Sequence, residues 1–80
     1  MKMTFDELCS KEVVNVCDGR KLGHIEDLCL ELSDGRILSI IVPGRSKFFG
    51  LIKSEEEIVI PYCKIVKFGT DVILVDIGSA

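Results

Sequence analysis

The sequence contains no tryptophan, one tyrosine (Tyr62), one histidine (His24) and two prolines. Its four cysteines, Cys9, Cys17, Cys29 and Cys63, form no C-x-x-C pair. Structural zinc favours paired ligands at short spacing, so neither a metal nor another cofactor is expected. No apolar run approaches the roughly 18 residues of a membrane-spanning helix, although 48% of the chain is hydrophobic. The opening stretch MKMTFDELCSKE lacks the apolar core of an export signal. These absences point to a cytoplasmic protein with no membrane insertion, whose cysteines serve as small hydrophobes with free thiols. A basic excess is also missing: 10 Lys and Arg stand against 13 Asp and Glu, for a net charge of −3. Nucleic-acid binding rests on a basic footprint, so nucleic acid is not expected as the main partner.

What the chain does contain is β-strand pattern punctuated by glycine turns. Eighty residues make one domain, 1–80. A chain of that size buries only roughly 60% of its unfolded surface, so outside support is welcome. The one helical signal is TFDEL, where Thr4 and Glu7 fit a capping box. Lys11 to Val16 reads as a strand ending at the Asp18-Gly19 turn, and a second run goes from Leu22 to Leu32. In that run Leu28, Leu30 and Leu32 alternate with Cys29 and Glu31, the period of a half-buried strand. Ile25 is out of phase with them, and a bulge near Glu26-Asp27 would restore it to the core. Further strands are expected at Ile37–Val42, Glu57–Ile60, Ile65–Phe68 and Val72–Ile77. Six short strands without intervening helices favour an all-β fold, a small six-stranded barrel with one short N-terminal helical turn.

The segment Ser33-Asp34-Gly35-Arg36 is a hairpin signal, with Asp-Gly suited to a type I′ turn. If Ser33 faces Arg36, then Leu32 faces Ile37, Leu30 faces Ser39 and Leu28 faces Ile41. That register sends the leucines to the interior and leaves Leu38, Ile40 and Val42 on the other side. A strand apolar on both faces needs cover on both. The cover for Leu38, Ile40 and Val42 is the N-terminal turn, the Phe48-Phe49 loop or another subunit, which makes this the candidate face for a homodimer.

Chemistry-bearing groups are sparse. His24 follows Gly23 with no nucleophile spaced against it, so a surface or strand-pairing role is expected. The run Glu55-Glu56-Glu57 reads as a solvated approach to a strand. GRSKFFG is no phosphate loop, because no Lys-Ser or Lys-Thr follows Gly50. Candidate partner-binding residues are concentrated in the segment from Gly44 to Lys53, at Arg45, Lys47, Phe48, Phe49 and Leu51. Adjacent phenylalanines beside an arginine suit a protein interface. They would equally suit a plug for the barrel, worth roughly 2–3 kcal/mol per buried ring. Contact with a single-stranded nucleic acid is the third option, opposed by the net charge.

The stretch GRKLGHIEDLCLELSDGRILSIIVPGR resembles the PRC-barrel domain, through Leu22-Gly23, Asp27, the Asp34-Gly35 turn and the apolar strand after it. PGRSKFFGLIKSEEEIVIP with KIVKFGTDVILVD is similar to the short YlmC/YmxH group of that family, which is associated with endospore formation. Tyr62 stands where that group leads one to expect tryptophan, with a similar amphipathic role. The resemblance implies a six-stranded β-barrel that docks on another protein, and it carries over no catalytic residue. The expected function is thus a non-enzymatic sporulation-associated adaptor with a protein partner. The alternative is an RNA- or ribosome-associated factor, by analogy with a ribosome maturation relative. A ligand-binding or redox role for the four cysteines is a further alternative.

Overall fold

The computed structural model describes residues 2–43 and 57–78. Arg45, Lys47, Phe48, Phe49 and Leu51 lie outside the described residues. Thr4 starts the one α-helix among the described residues, α1 (Phe5–Cys9). Its hydroxyl accepts from the Glu7 N–H at 3.1 Å, and its own N–H donates to Glu7 Oε1 at 2.8 Å. This is the capping box that the sequence announces. Leu8 is the buried residue of the helix.

Seven strands follow among the described residues: β1 (Glu12–Asn15), β2 (Lys21–His24), β3 (Asp27–Glu31), β4 (Arg36–Val42), β5 (Ile58–Pro61), β6 (Ile65–Phe68) and β7 (Val72–Val75). A 3-10 turn, Tyr62–Lys64, separates β5 from β6. The fold is all-β, in two sheets ordered β2-β1-β7-β6 and β3-β4-β5, and pairing among the described residues does not close them into one ring. One strand more than expected appears because the run Leu22–Leu32 breaks at Ile25-Glu26. Its first part joins one sheet and its second part the other. Ile25, at the break, turns into the core with no bulge at Glu26-Asp27. The sheets approach closely beside it. Gly23 has φ 99°, and a Cβ there would lie 3.0 Å from Pro43 Cγ.

Strand β1 pairs antiparallel with β2 and parallel with β7, Glu12 facing Val72 and Asn15 facing Val75. The two ends of the described chain are thereby locked together. Val13, Leu22, Ile73 and Val75 from this sheet meet Ile40, Val42 and Ile60 from the other. Pro61 ends β5, an outer strand among the described residues, where a proline is tolerated.

The β3–β4 hairpin corrects the expected register. Glu31, not Ser33, faces Arg36, because the connection is a four-residue turn over 32–35. Gly35, at φ 73°, donates to the Glu31 carbonyl at 2.8 Å, and Asp34 Oδ1 accepts from the Arg36 N–H. An irregularity then follows: Leu30 faces Ile37 and Cys29 faces Ser39, so Leu38 is an extra residue in β4. This bulge lets Ile37 and Ile40, three residues apart, both serve the core side beside Leu28.

Beyond Leu38 the expected faces of β4 are exchanged, while Ile37 keeps its place on the core side. Ile40 and Val42 are interior, at 1% and 0% exposure, so the proposed face of Leu38, Ile40 and Val42 is not a surface for a second copy. Only Leu38 of the three is exposed. Leu32, expected inside, is 86% exposed. One register slip changes which side of a strand is buried.

Candidate functional site

Helix α1, the β3–β4 pair and the 3-10 turn with β6 enclose an open groove of about 420 Å³. Met3, Phe5 and Leu8 form one wall, and the spacing of Phe5 and Leu8 puts them on one helical face. Leu28, Leu30 and Ile37 form the floor: the leucines by strand alternation, Ile37 by the Leu38 bulge. Tyr62 and Phe68 form the opposite wall, their ring centroids 6.3 Å apart and tilted by 36°. That spacing is attractive for aromatic pairs.

The lining is apolar yet wet. Phe5, Leu30 and Tyr62 are exposed, Phe5 to 59%. The chain has four phenylalanines and one tyrosine. Phe48 and Phe49 lie outside the described residues, and all three others line this groove. Exposed aromatic and aliphatic side chains gathered in one place are the usual anchors of protein interfaces.

Among the described residues that line the groove there is no His, Cys, Asp, Glu, Lys or Arg side chain. Thr4 lines it with Phe5, and Thr4's backbone N–H and hydroxyl hold the nearby Glu7 carboxyl below its ordinary value. That interaction fixes the helix. Cys9, half-buried on α1, has its thiol pushed up by burial and by Asp6, which makes it a poor nucleophile. Cys17, Cys29 and Cys63 are exposed on separate elements. His24 is exposed at the end of β2, opposite Glu12 in the β1–β2 register. Among the described residues no three His, Cys, Asp or Glu side chains gather as a metal-binding group. No helix among them is long and apolar enough to cross a membrane.

No short window of sequence shows the groove, because its walls come from the two ends of the described chain. Of its lining, Thr4 is legible as a cap, Leu28, Leu30 and Ile37 as strand residues, and Tyr62 as an amphipathic residue where the family group leads one to expect tryptophan.

The PRC-barrel domain model matches residues 1–80. The chain belongs to the PRC-barrel family. Among PRC-barrel relatives, the "Probable sporulation protein YlmC" of Bacillus subtilis is 47% identical over 77 residues, covering 96% of this chain and 95% of the relative. The "Uncharacterized protein YmxH" of the same organism is 35% identical over 77 residues, covering 94% and 89%. An uncharacterized protein of Clostridium acetobutylicum is 42% identical over 67 residues, covering 84% and 76%. The chain therefore falls in the YlmC/YmxH group of PRC-barrel proteins, as its second half suggested.

Proposed function

We propose that this PRC-barrel protein is a non-enzymatic contact module of the cytoplasm, which works in sporulation by docking on a protein partner. The docking surface is the groove between α1 and β3–β4, together with the 44–53 segment. One observation carries the reading: every described aromatic side chain lines that one apolar groove, and Phe5 and Tyr62 are exposed there. The name of the 47% identical relative supports the setting in sporulation.

Affinity capture from sporulating cells tests this proposal with wild-type protein, Phe5→Ser, and a Phe48→Ala/Phe49→Ala double variant. Phe5→Ser removes an exposed ring and should leave the fold intact by circular dichroism while reducing recovery of a specific partner at least tenfold. Equal recovery by wild type and Phe5→Ser would refute docking through the groove. Equal recovery by the double variant would remove the 44–53 segment from the surface.

A further inference from the structure

Strand β3 is the outer strand of its sheet, and among the described residues it pairs only with β4. It is five residues long, ends at Glu31 and runs directly into the turn over 32–35. Leu28 and Leu30 carry the apolar groove alongside it. An open edge beside apolar side chains offers its backbone N–H and C=O groups to any added strand.

In an antiparallel pair the N–H groups of a strand point alternately at the partner and away from it. Leu28 and Leu30 are two apart, so their N–H groups share one edge, as their side chains share the groove. The Leu28 N–H donates to Asp27 Oδ1 at 2.8 Å. A donor engaged in this way is not part of the β3–β4 ladder, which places it on the open edge. The edge therefore has two donors, and a carboxylate already holds the first. That bond is charge-assisted and roughly twice as strong as a neutral one. An incoming carbonyl would meet a carboxylate oxygen where it needs a free N–H. At the other end of the strand, Glu31 Oε2 accepts from the Ser33 hydroxyl at 3.0 Å. Short length and charged ends are devices that keep edge strands from pairing.

We propose that Asp27 is an edge guard: its carboxylate occupies the Leu28 N–H and denies the open edge of β3 to an added strand. The leucines of the groove can then stay uncovered without recruiting strands. The acceptor oxygen performs this role, and the charge strengthens it.

Amide exchange in dilute wild-type protein gives the first test. The Leu28 amide should exchange at least tenfold more slowly than the Leu30 amide on the same edge. Asp27→Ala and Asp27→Asn then separate acceptor from charge, because asparagine keeps a carbonyl oxygen in place. Asp27 is exposed, so both variants should melt close to wild type at low concentration. In sedimentation equilibrium from about 1 µM to about 1 mM, Asp27→Ala should associate at least tenfold more tightly than wild type. Its Leu28 amide, fast when dilute, should become slow on association. Asp27→Asn should match wild type in both respects. Equally slow Leu28 and Leu30 amides in dilute wild type would mean that the edge is covered, and overturn the proposal. Asp27→Ala associating no more tightly than wild type overturns it too, as does Asp27→Asn associating as tightly as Asp27→Ala. Partner capture that depends on Phe5 stands or falls separately from each of these results.

Discussion

Asn15 Nδ2 donates to the carbonyl of Gly78 at 2.9 Å, across a sequence separation of 63 residues. The same nitrogen donates to Asp18 Oδ1 at 3.0 Å, while Asn15 Oδ1 accepts from the Ile77 N–H at 3.1 Å and the Cys17 N–H at 3.4 Å. The residue is 2% exposed, and no buried side-chain polar atom among the described residues lacks a partner. One amide thus fastens the β1–β2 turn to the segment after β7. Removing it strands buried backbone donors, at about 2–3 kcal/mol. Asn15→Ala should lower the melting temperature by roughly 10–20 °C. Asn15→Asp should cost at least as much, because its carboxylate would face the Gly78 carbonyl and Asp18 without a donor. Thermal melts of both variants check this.

The corrected hairpin register separates two neighbours on β4. Ile40 is interior, so Ile40→Ala should cost about 2–5 kcal/mol by lost transfer energy and cavity. Leu38 occupies the bulge and is exposed, so Leu38→Ala should cost well under about 1 kcal/mol. Urea unfolding measures both. The Ile40→Ala loss should not depend on protein concentration, as befits a core residue rather than an interface residue.

The meeting of Gly23 and Pro43 predicts an asymmetry between glycines. Gly23→Ala forces a β-carbon to within 3.0 Å of the proline ring at a φ of 99°, and should cost about 2–3 kcal/mol. Gly35→Ala has a φ of 73° but open space around it, and should cost about 1 kcal/mol. Gly35→Asn, a residue that tolerates this conformation, should recover most of that loss. Equal losses at positions 23 and 35 would argue against the close approach of the two sheets.

The capping box gives α1 a pH dependence. Hydrogen bonds from Thr4 lower the Glu7 pKa in the folded state. A depressed carboxylate contributes stability above its unfolded pKa and loses it as pH falls through the folded value. The N-terminal turn should therefore loosen selectively in acid, below the ordinary glutamate range, with the sheets still folded. Thr4→Ala removes the hydroxyl that accepts from the Glu7 N–H and keeps the backbone N–H that donates to the Glu7 carboxylate. It should therefore cost about 0.5–2 kcal/mol and leave much of the acid response, whereas Glu7→Gln, which cannot titrate, should flatten it. Amide exchange at Leu8 and Ser10, whose N–H groups donate to Thr4 and Asp6 carbonyls, reports it.

The sequence exposed the local decisions and hid the relational ones. Thr4 and Glu7 sit three residues apart, and strand alternation is visible in any short window, so the helix cap and most strands were legible. The split of Leu22–Leu32 between two sheets was not, because Ile25 reads as out of phase whether the strand bulges or breaks. Asp34-Gly35 announced a turn but not its length. A four-residue loop and one inserted residue, Leu38, were enough to exchange the buried and exposed sides of β4. The groove was invisible for another reason. Phe5 and Tyr62 are far apart in sequence and line one groove, and the β1–β7 pairing closes nearly the whole chain into one loop.

Photocrosslinking in sporulating cells tests the groove as a docking surface most directly. A benzophenone amino acid replaces Phe5 in one strain and Val59 in another, two side chains each 59% exposed, with only Phe5 lining the groove. Docking through the groove requires a discrete protein adduct from position 5, with little or none from position 59. No adduct from position 5, or the same adducts from both positions, would contradict it.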